Sequence, residues 1–388
     1  MTSSTSTVSR TTARVGPPTP FRRRITLALP SLAAGGAERV GSLLAGAWAE
    51  QGYDVTVITL AGRDTDFFVL PPAVRRIALR RTGGTPSRLA AATRVLGRIG
   101  AFRSALRNAR PDVVVSFLDV INVLVLLATR GLGQKVVVSE RTDPRMAPLA
   151  RVWRLLRSVT YRWADLLVVQ TQSVADAWAG AVVGPSRVRV IPNPHAVSSA
   201  RTTAARRPRI VAIGRLATEK GFDLLIDAFA QISETFPEWD LVIFGEGDER
   251  PALVARAAAS GAGARIALPG HSRAVAEDLA SSSIFVLSSR FEGFPNALLE
   301  AMASGAAVVS TDCKSGPSEL ITAGIDGVLV PVDDLPALSA ALEHLMRDGE
   351  LRERLGRAAH ESARRFSLDR VAARWNSVLD EVVPEQRA

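Results

Sequence analysis

The feature that most constrains this chain is a repeat of short aliphatic runs separated by longer helical stretches, broken once near the middle. In the first half the runs fall at residues 24–29, 54–60, 112–117, 135–139, 165–169 and 188–191. Stretches with helical spacing, such as 37–50 and 151–164, lie between them. A continuous run of Val, Ile and Leu is what a strand buried on both faces needs. Strand and helix in alternation imply an α/β layer structure with a parallel sheet. At Pro192-Asn193-Pro194 the pattern stops, and the polar stretch as far as Pro208 reads as a linker. The pattern restarts at 209–213 and recurs at 241–244, 266–268, 284–287, 306–310 and 327–330. Two doubly wound parallel-sheet domains, residues 21–200 and 201–370, account for this most economically. Residues 1–20, rich in Ser and Thr, read as a disordered leader, and 371–388 as a helical tail. Ligands of such sheets sit beyond the carboxyl ends of the strands. Two facing sheets therefore make a cleft for two substrates.

Charge divides the same way. The net charge of +10 is the balance of +16 over residues 1–200 and −6 over 201–388. One half alone is suited to an anionic surface, although an Arg-rich composition gives the same asymmetry. The single cysteine, Cys313, excludes an internal disulfide and a cysteine metal cluster, and a reducing cytosolic setting fits. Residues 1–20 lack the apolar core of a secretory signal. The most apolar region, 113–128, is interrupted by Ser116, Asp119 and Asn122, so no run is long enough to span a bilayer.

The strongest local signal runs from Ser288 to Glu300 and follows the run at 284–287. Pro295 suits a first helical position and Gly305 a helix end. Backbone N–H groups near Asn296 and Ala297 then open a helix at a strand's carboxyl end, which is an anion site. Glu292 lies before that helix and Glu300 within it. Carboxylates flanking an anion site are poor ligands for phosphate but good acceptors for hydroxyls. A sugar on one side of a diphosphate and a ribose on the other match that arrangement. A second signal, from Gly214 to Gly221, places the cations Arg215 and Lys220 after the run at 209–213. They suit a departing diphosphate. Taken alone, the same residues also read as a helix-capping turn with solvated charges.

The spacing of Glu292 and Glu300, with Gly293-Phe294-Pro295 between, resembles the E-x7-E motif of family 4 retaining glycosyltransferases, which have the GT-B fold of two facing Rossmann-like domains. Gly214-Arg215-Leu216 followed by Glu219-Lys220-Gly221 is similar to that family's phosphate-binding turn. Glycine-rich turns at Phe244–Asp248 and Pro269-Gly270 fall where the family has them, and the likeness covers about residues 25–370. The resemblance implies that Glu292 contacts the transferred sugar and Glu300 the ribose. It implies that Arg215 and Lys220 hold the diphosphate, that Gly270 lies near the base, and that Phe294, Asn296 and Ala297 line the donor site. Attack on the front face of the sugar needs no carboxylate nucleophile, so Glu292 acts by position and charge. No cofactor and no metal are expected, the nucleotide-sugar being a co-substrate.

In the first half, Gly35 and Gly36 follow the first run and open a helix. This is not the G-x-G-x-x-G dinucleotide fingerprint. The segment Gly35–Arg39 resembles the GGAER loop of one branch of the family, which faces the donor phosphates across the cleft. An ordinary glycine turn is the plainer reading. Ser139 to Pro144 end another strand at the same face, and the acceptor should meet polar residues there. The family often has a histidine in this region, and this chain has none. Asp119, Glu140 and Asp143 are the candidates for acceptor contact or for the acceptor-side base. Asp64-Thr65-Asp66 forms a D-x-D but sits away from the donor motifs and reads as a solvated loop.

Two stretches are basic and amphipathic. One runs from Arg88 to Arg110, and the other carries Arg151, Arg154, Arg157 and Arg162. Such helices lie on anionic bilayers or serve as surface helices of a domain. The leading expectation is a hexosyltransferase-type enzyme in glycan biosynthesis. It would use a UDP- or GDP-linked hexose or N-acetylhexosamine, UDP preferred, and a lipid-linked saccharide or other hydroxyl acceptor. It would be cytoplasmic or peripheral at the inner membrane face, with no nucleic-acid partner. A transferase acting on a soluble secondary metabolite and a same-fold nucleotide-sugar 2-epimerase are the alternatives. A basic binding module without enzymatic activity leaves Glu292 and Glu300 unexplained.

Overall fold

The computed structural model describes residues 23–83, 88–145, 149–179, 183–195 and 206–384. The expected leader, 1–20, and most of the expected linker lie outside the described residues. The first sheet contains β1 (Arg24–Leu29), β2 (Asp54–Thr59), β3 (Arg75–Ala78), β4 (Val113–Phe117), β5 (Lys135–Ser139), β6 (Leu166–Val169) and β7 (Val188–Val190), in the order β3-β2-β1-β4-β5-β6-β7. The second contains β8 (Arg207–Ile213), β9 (Asp240–Phe244), β10 (Ile266–Gly270), β11 (Ser282–Leu287), β12 (Ala307–Thr311) and β13 (Val328–Val330), in the order β10-β9-β8-β11-β12-β13. The pairings within both are parallel, for example Leu27 beside Val57 and Val115, and Ile284 beside Ile210 and Ala307. This is the GT-B architecture of two doubly wound α/β domains.

Strand β3 has no counterpart among the aliphatic runs. It begins Arg75-Arg76 and forms a half-exposed edge, where one apolar face is enough. On the other sheet, edge strand β10 contains Pro269, and its register slips between Ala267 and Gly270. An edge tolerates the missing donor of proline.

Apolar side chains pack on both faces of each sheet. One face of the first sheet holds Leu27, Val57, Val115 and Trp48, the last from helix Gly36–Glu50. Helix Leu368–Val382 packs there too. Trp375 meets Trp48 edge-on at 6.2 Å and stacks on Phe117 at 6.0 Å, and Trp48 Nε1 donates to Asn376 at 3.1 Å. Burying a large apolar side chain contributes on the order of 2–3 kcal/mol. Helix Leu368–Val382, most of it in the region expected as a helical tail, thus crosses back from the second domain into the core of the first.

In each order the strand sequence reverses at one place, between β1 and β4 and between β8 and β11. Loops leaving the carboxyl ends of these strands diverge and open a crevice. The donor motifs follow β8 and β11, and the Gly35-Gly36 loop follows β1.

Candidate functional site

On the second domain, Lys220 lies in the short turn Thr218–Lys220 after β8. Its Nζ stands 2.7 Å from Glu292 Oε1, and Ser289 Oγ donates to the same oxygen at 2.6 Å. Glu292 is buried. The two loops meet closely because Gly221 has φ +61°, and a Cβ there would strike the Ser288 carbonyl. Arg290 fastens them further, pairing with Asp223 and Asp333 at 2.8 Å each. Arg215 points outward, 72% exposed, and pairs with Glu219. The structure therefore brings Lys220 to Glu292 and leaves Arg215 at the rim.

Helix Asn296–Ser304 begins one residue later than expected. Pro295 is its N-cap rather than its first residue. Leu298, Leu299 and Met302 anchor the helix in the core, and Gly305 ends it at φ +76°. The Asn296 N–H donates to the Phe294 carbonyl at 3.0 Å, and the helix start meets the first domain through Asn193. The Phe294 ring is buried among Val211, Leu287 and Leu298, so its side chain serves packing. Gly270, at the end of β10, accepts from Gly245 N at 2.8 Å and lies beside Glu246. Cys313 sits near Glu292, and burial pushes its thiol up to about 12, with the Glu292 charge adding to the effect.

The first domain closes over this wall. Arg39, in the helix opened by Gly35 and Gly36, forms an ion pair with Glu300. Burial pushes the Glu300 carboxyl above the ordinary range, against the pull of Arg39. Asn193 Nδ2 donates to Asn296 Oδ1 at 2.9 Å. A Cβ on Gly36 would lie 2.9 Å from Asn296 Nδ2, and one on Gly293 2.7 Å from the Arg141 carbonyl oxygen. Ser315 Oγ donates to Asp143 Oδ2 at 3.0 Å, and the Glu319 carboxylate accepts from Gln172 N and Ser173 N at 2.9 and 3.2 Å. The partners Asn193 and Ser315 carried no motif signal. Arg39 alone was within reach of sequence reasoning, as the last residue of the GGAER segment.

The acceptor-side candidates are placed differently from one another. Asp119 opens helix Asp119–Thr129 and accepts from Val120 N at 2.7 Å, directly after Leu118, whose φ of +74° is costly for a bulky residue. Such strain is commonest beside functional sites. Asp143 is bound by Arg145 and Ser315, and burial opposes these bonds, yet its carboxyl stays below the ordinary range. Glu140 turns inward and accepts from Tyr161 Oη. Burial raises its carboxyl to about 7. Asn122 completes this buried cluster, donating to Tyr161 Oη at 3.0 Å. In the D-x-D segment, Asp66 pairs with Arg76 at 3.0 Å and Asp64 is exposed.

Residues 35–194 match the glycosyl transferase 4-like domain family, and residues 198–362 match glycosyl transferases group 1. The chain belongs to the family 4 type of GT-B glycosyltransferases. This glycosyltransferase is 27% identical over 92% of its length to an enzyme of Campylobacter jejuni, of which the match covers 99%. That enzyme is named GalNAc-alpha-(1->4)-GalNAc-alpha-(1->3)-diNAcBac-PP-undecaprenol alpha-1,4-N-acetyl-D-galactosaminyltransferase. A match at 34% identity to the exopolysaccharide phosphotransferase SCO2592 of Streptomyces coelicolor takes in 56% of this chain but only 24% of that protein. Among solved structures, the glycosyltransferase superposes on sucrose-phosphate synthase from Thermosynechococcus elongatus with a TM-score of 0.81, at 19% identity over 93% and 99% of the two chains. Anabaena HepE in complex with UDP and glucose gives 0.77, at 17% identity over 93% and 100%. At such identities these structures speak for the fold.

Proposed function

We propose that the glycosyltransferase is a retaining enzyme that moves a hexose or N-acetylhexosamine from a UDP-sugar to a lipid-linked saccharide at an anionic membrane surface. The observation that carries this reading is the convergence of Lys220, Glu292, Glu300 and the start of helix Asn296–Ser304 at the switch point of the second sheet, opposite Arg39. The helix end and Lys220 receive the diphosphate, Glu292 the sugar hydroxyls, and Glu300 the ribose. The bond from the anomeric carbon to the phosphate oxygen breaks. The acceptor oxygen bonds to that carbon on the same face, and its proton passes to the departing phosphate. The UDP bound to HepE and the undecaprenol-linked acceptor in the name of the Campylobacter enzyme support the choice of donor and acceptor.

Support for a membrane surface comes from helix Arg151–Thr160. Val152, Leu155 and Val159 are exposed on it, and Trp163 follows, stacked under Arg130 at 4.6 Å. Exposed Arg151, Arg154 and Arg162 flank them, whereas Arg157 turns in over Trp178. An outward apolar stripe edged with cations suits the boundary of an anionic bilayer. Helix Arg88–Ala109 instead buries Phe102 and Leu106 and reads as an ordinary surface helix. No described helix is long and apolar enough to cross a membrane.

The test is transfer from UDP-, GDP- and TDP-sugars to an undecaprenyl-diphosphate saccharide, with the anomeric configuration of the product read by NMR. Lys220→Ala should lower kcat by about 10²–10³. An inverted product overturns retention. Full activity in Lys220→Ala overturns the site.

A further inference from the structure

Arg141 carries hydrogen-bonding capacity that nothing among the described residues meets. It follows Glu140 beyond the carboxyl end of β5. Its guanidinium stands 3.9 Å from the centroid of Phe117, which ends β4 beside the switch point of the first sheet. Nη1 donates to Asn193 Oδ1. Nε and Nη2 are sealed from solvent and have no hydrogen-bond partner among the described residues. The neighbouring Glu140 carboxyl is engaged with Tyr161. An unpaired buried donor is costly, and more so when charged. A fold that keeps one has an acceptor supplied from elsewhere or a use for the strain.

The surroundings indicate what that acceptor is. Asn193, which takes Nη1, also reaches Asn296 at 2.9 Å, so Arg141 stands two side chains from the helix end assigned to the diphosphate. The guanidinium is a planar fork whose parallel N–H groups match paired phosphate oxygens, which an ammonium does not. The contacts closing this part of the cleft are few and polar, so parting the domains admits a ligand. We propose that Arg141 binds diphosphate oxygens through Nε and Nη2, and so supplies from the first domain a contact that forms as the cleft closes on its ligand. The inference rests on the transferase reading above. The diphosphate belongs either to the nucleotide donor or to the lipid-linked acceptor.

Arg141→Met keeps a stem over Phe117 and removes the unmet donors. Arg141→Lys keeps the charge and loses the fork. Melting temperature is measured without ligand and with UDP, GDP or TDP. Affinity for the bound nucleotide is measured by calorimetry, and KM with an undecaprenyl-diphosphate saccharide. Without ligand, Arg141→Met should melt no lower than wild type, because it loses an unsatisfied charge. A tenfold or greater loss of nucleotide affinity assigns Arg141 to the donor. Unchanged nucleotide affinity with a tenfold rise in acceptor KM assigns it to the acceptor. Arg141→Lys should recover only part of either loss. Wild-type affinity and KM in both variants overturn the inference while the transferase reading stands. If Arg141→Met does not fold, Arg141→Lys decides, and wild-type affinity and KM in it overturn the proposal. A wild-type protein that binds none of the three nucleotides overturns the donor reading and this inference with it.

Discussion

Replacing Arg39 by alanine isolates the ion pair that spans the cleft. Glu300 is 4% exposed. A fully buried carboxylate deprived of its partner costs about 3–5 kcal/mol. The Arg39 side chain keeps 31% exposure, so solvent screens part of the interaction, and about 2 kcal/mol is the expected loss at pH 8. Burial already raises the Glu300 carboxyl above its ordinary 4.5, and Arg39 works against that rise. Because it titrates higher folded than unfolded, the proton binds the folded state preferentially. The stability this gives is present in full below 4.5 and lost as pH rises through the folded value. Without Arg39 the folded value rises further. The variant should therefore differ little from wild type at pH 5 and most at pH 8. Urea midpoints of wild type, Arg39→Ala, Glu300→Gln and the double variant at both pH values measure it. In the Glu300→Gln background, Arg39→Ala should cost less than about 0.5 kcal/mol, a coupling of roughly 1.5 kcal/mol. A loss equal at both pH values, or undiminished by Glu300→Gln, refutes the reasoning.

Gly293→Ala places a Cβ 2.7 Å from the Arg141 carbonyl oxygen and should prop the cleft open. Transfer should slow by about 10²-fold with each domain still folded, and wild-type kcat/KM would remove the argument for closure. Leu155→Glu with Val159→Glu should abolish sedimentation with phosphatidylglycerol vesicles at low salt while leaving UDP affinity unchanged, and equal sedimentation would disprove the membrane face. Glu140 titrates at about 7 through burial, so its stabilising protonation is complete below 4.5 and lost as pH rises through 7. Glu140→Gln should therefore gain about 2–3 kcal/mol on wild type between pH 5 and pH 8 in urea unfolding, and a constant difference would rule out the buried acid.

What the sequence discloses follows from how local each cause is. Buried strands such as Val113–Phe117 announce themselves because both faces are apolar, whereas Arg75–Ala78 does not, because an edge strand needs only one. Lys220 and Glu292 are legible because each sits in a motif fixed by its own strand and turn. The partner of Glu300 is not, because Arg39 reaches it only when two separately folded domains close. Arg141 is harder still. In a chain with 48 Lys and Arg, no spacing marks one arginine, and its isolation depends on what fails to surround it. Helix Leu368–Val382 shows periodicity in the sequence, but periodicity does not say that its apolar face belongs to Trp48 and Phe117.

The charge imbalance acquires a structural sense at the cleft. The basic first half supplies Arg39 to Glu300 of the acidic second half, while Glu292 pairs with Lys220 and Arg141 with Asn193 within their own halves. The described bonds across the closed gap are polar: Arg39 to Glu300, Asn193 to Asn296, Ser315 to Asp143, and Glu319 to two backbone N–H groups. Such bonds exchange for bonds to water, the neutral ones with a net worth of about 1 kcal/mol each and the ion pair about 2 kcal/mol, so the gap can open and reclose. Two of these groups, Glu300 and Asn296 at the helix start, are ones that the proposed function gives to the donor. If Glu300 receives the ribose, as proposed, the donor must displace Arg39, and its affinity is lowered by the worth of that pair. The displaced guanidinium would then lie near the diphosphate of that reading, where its charge is compensated again. Under the proposed function the same cation would bridge the two domains in the closed cleft and, once released, favour the charge that develops as the phosphate departs.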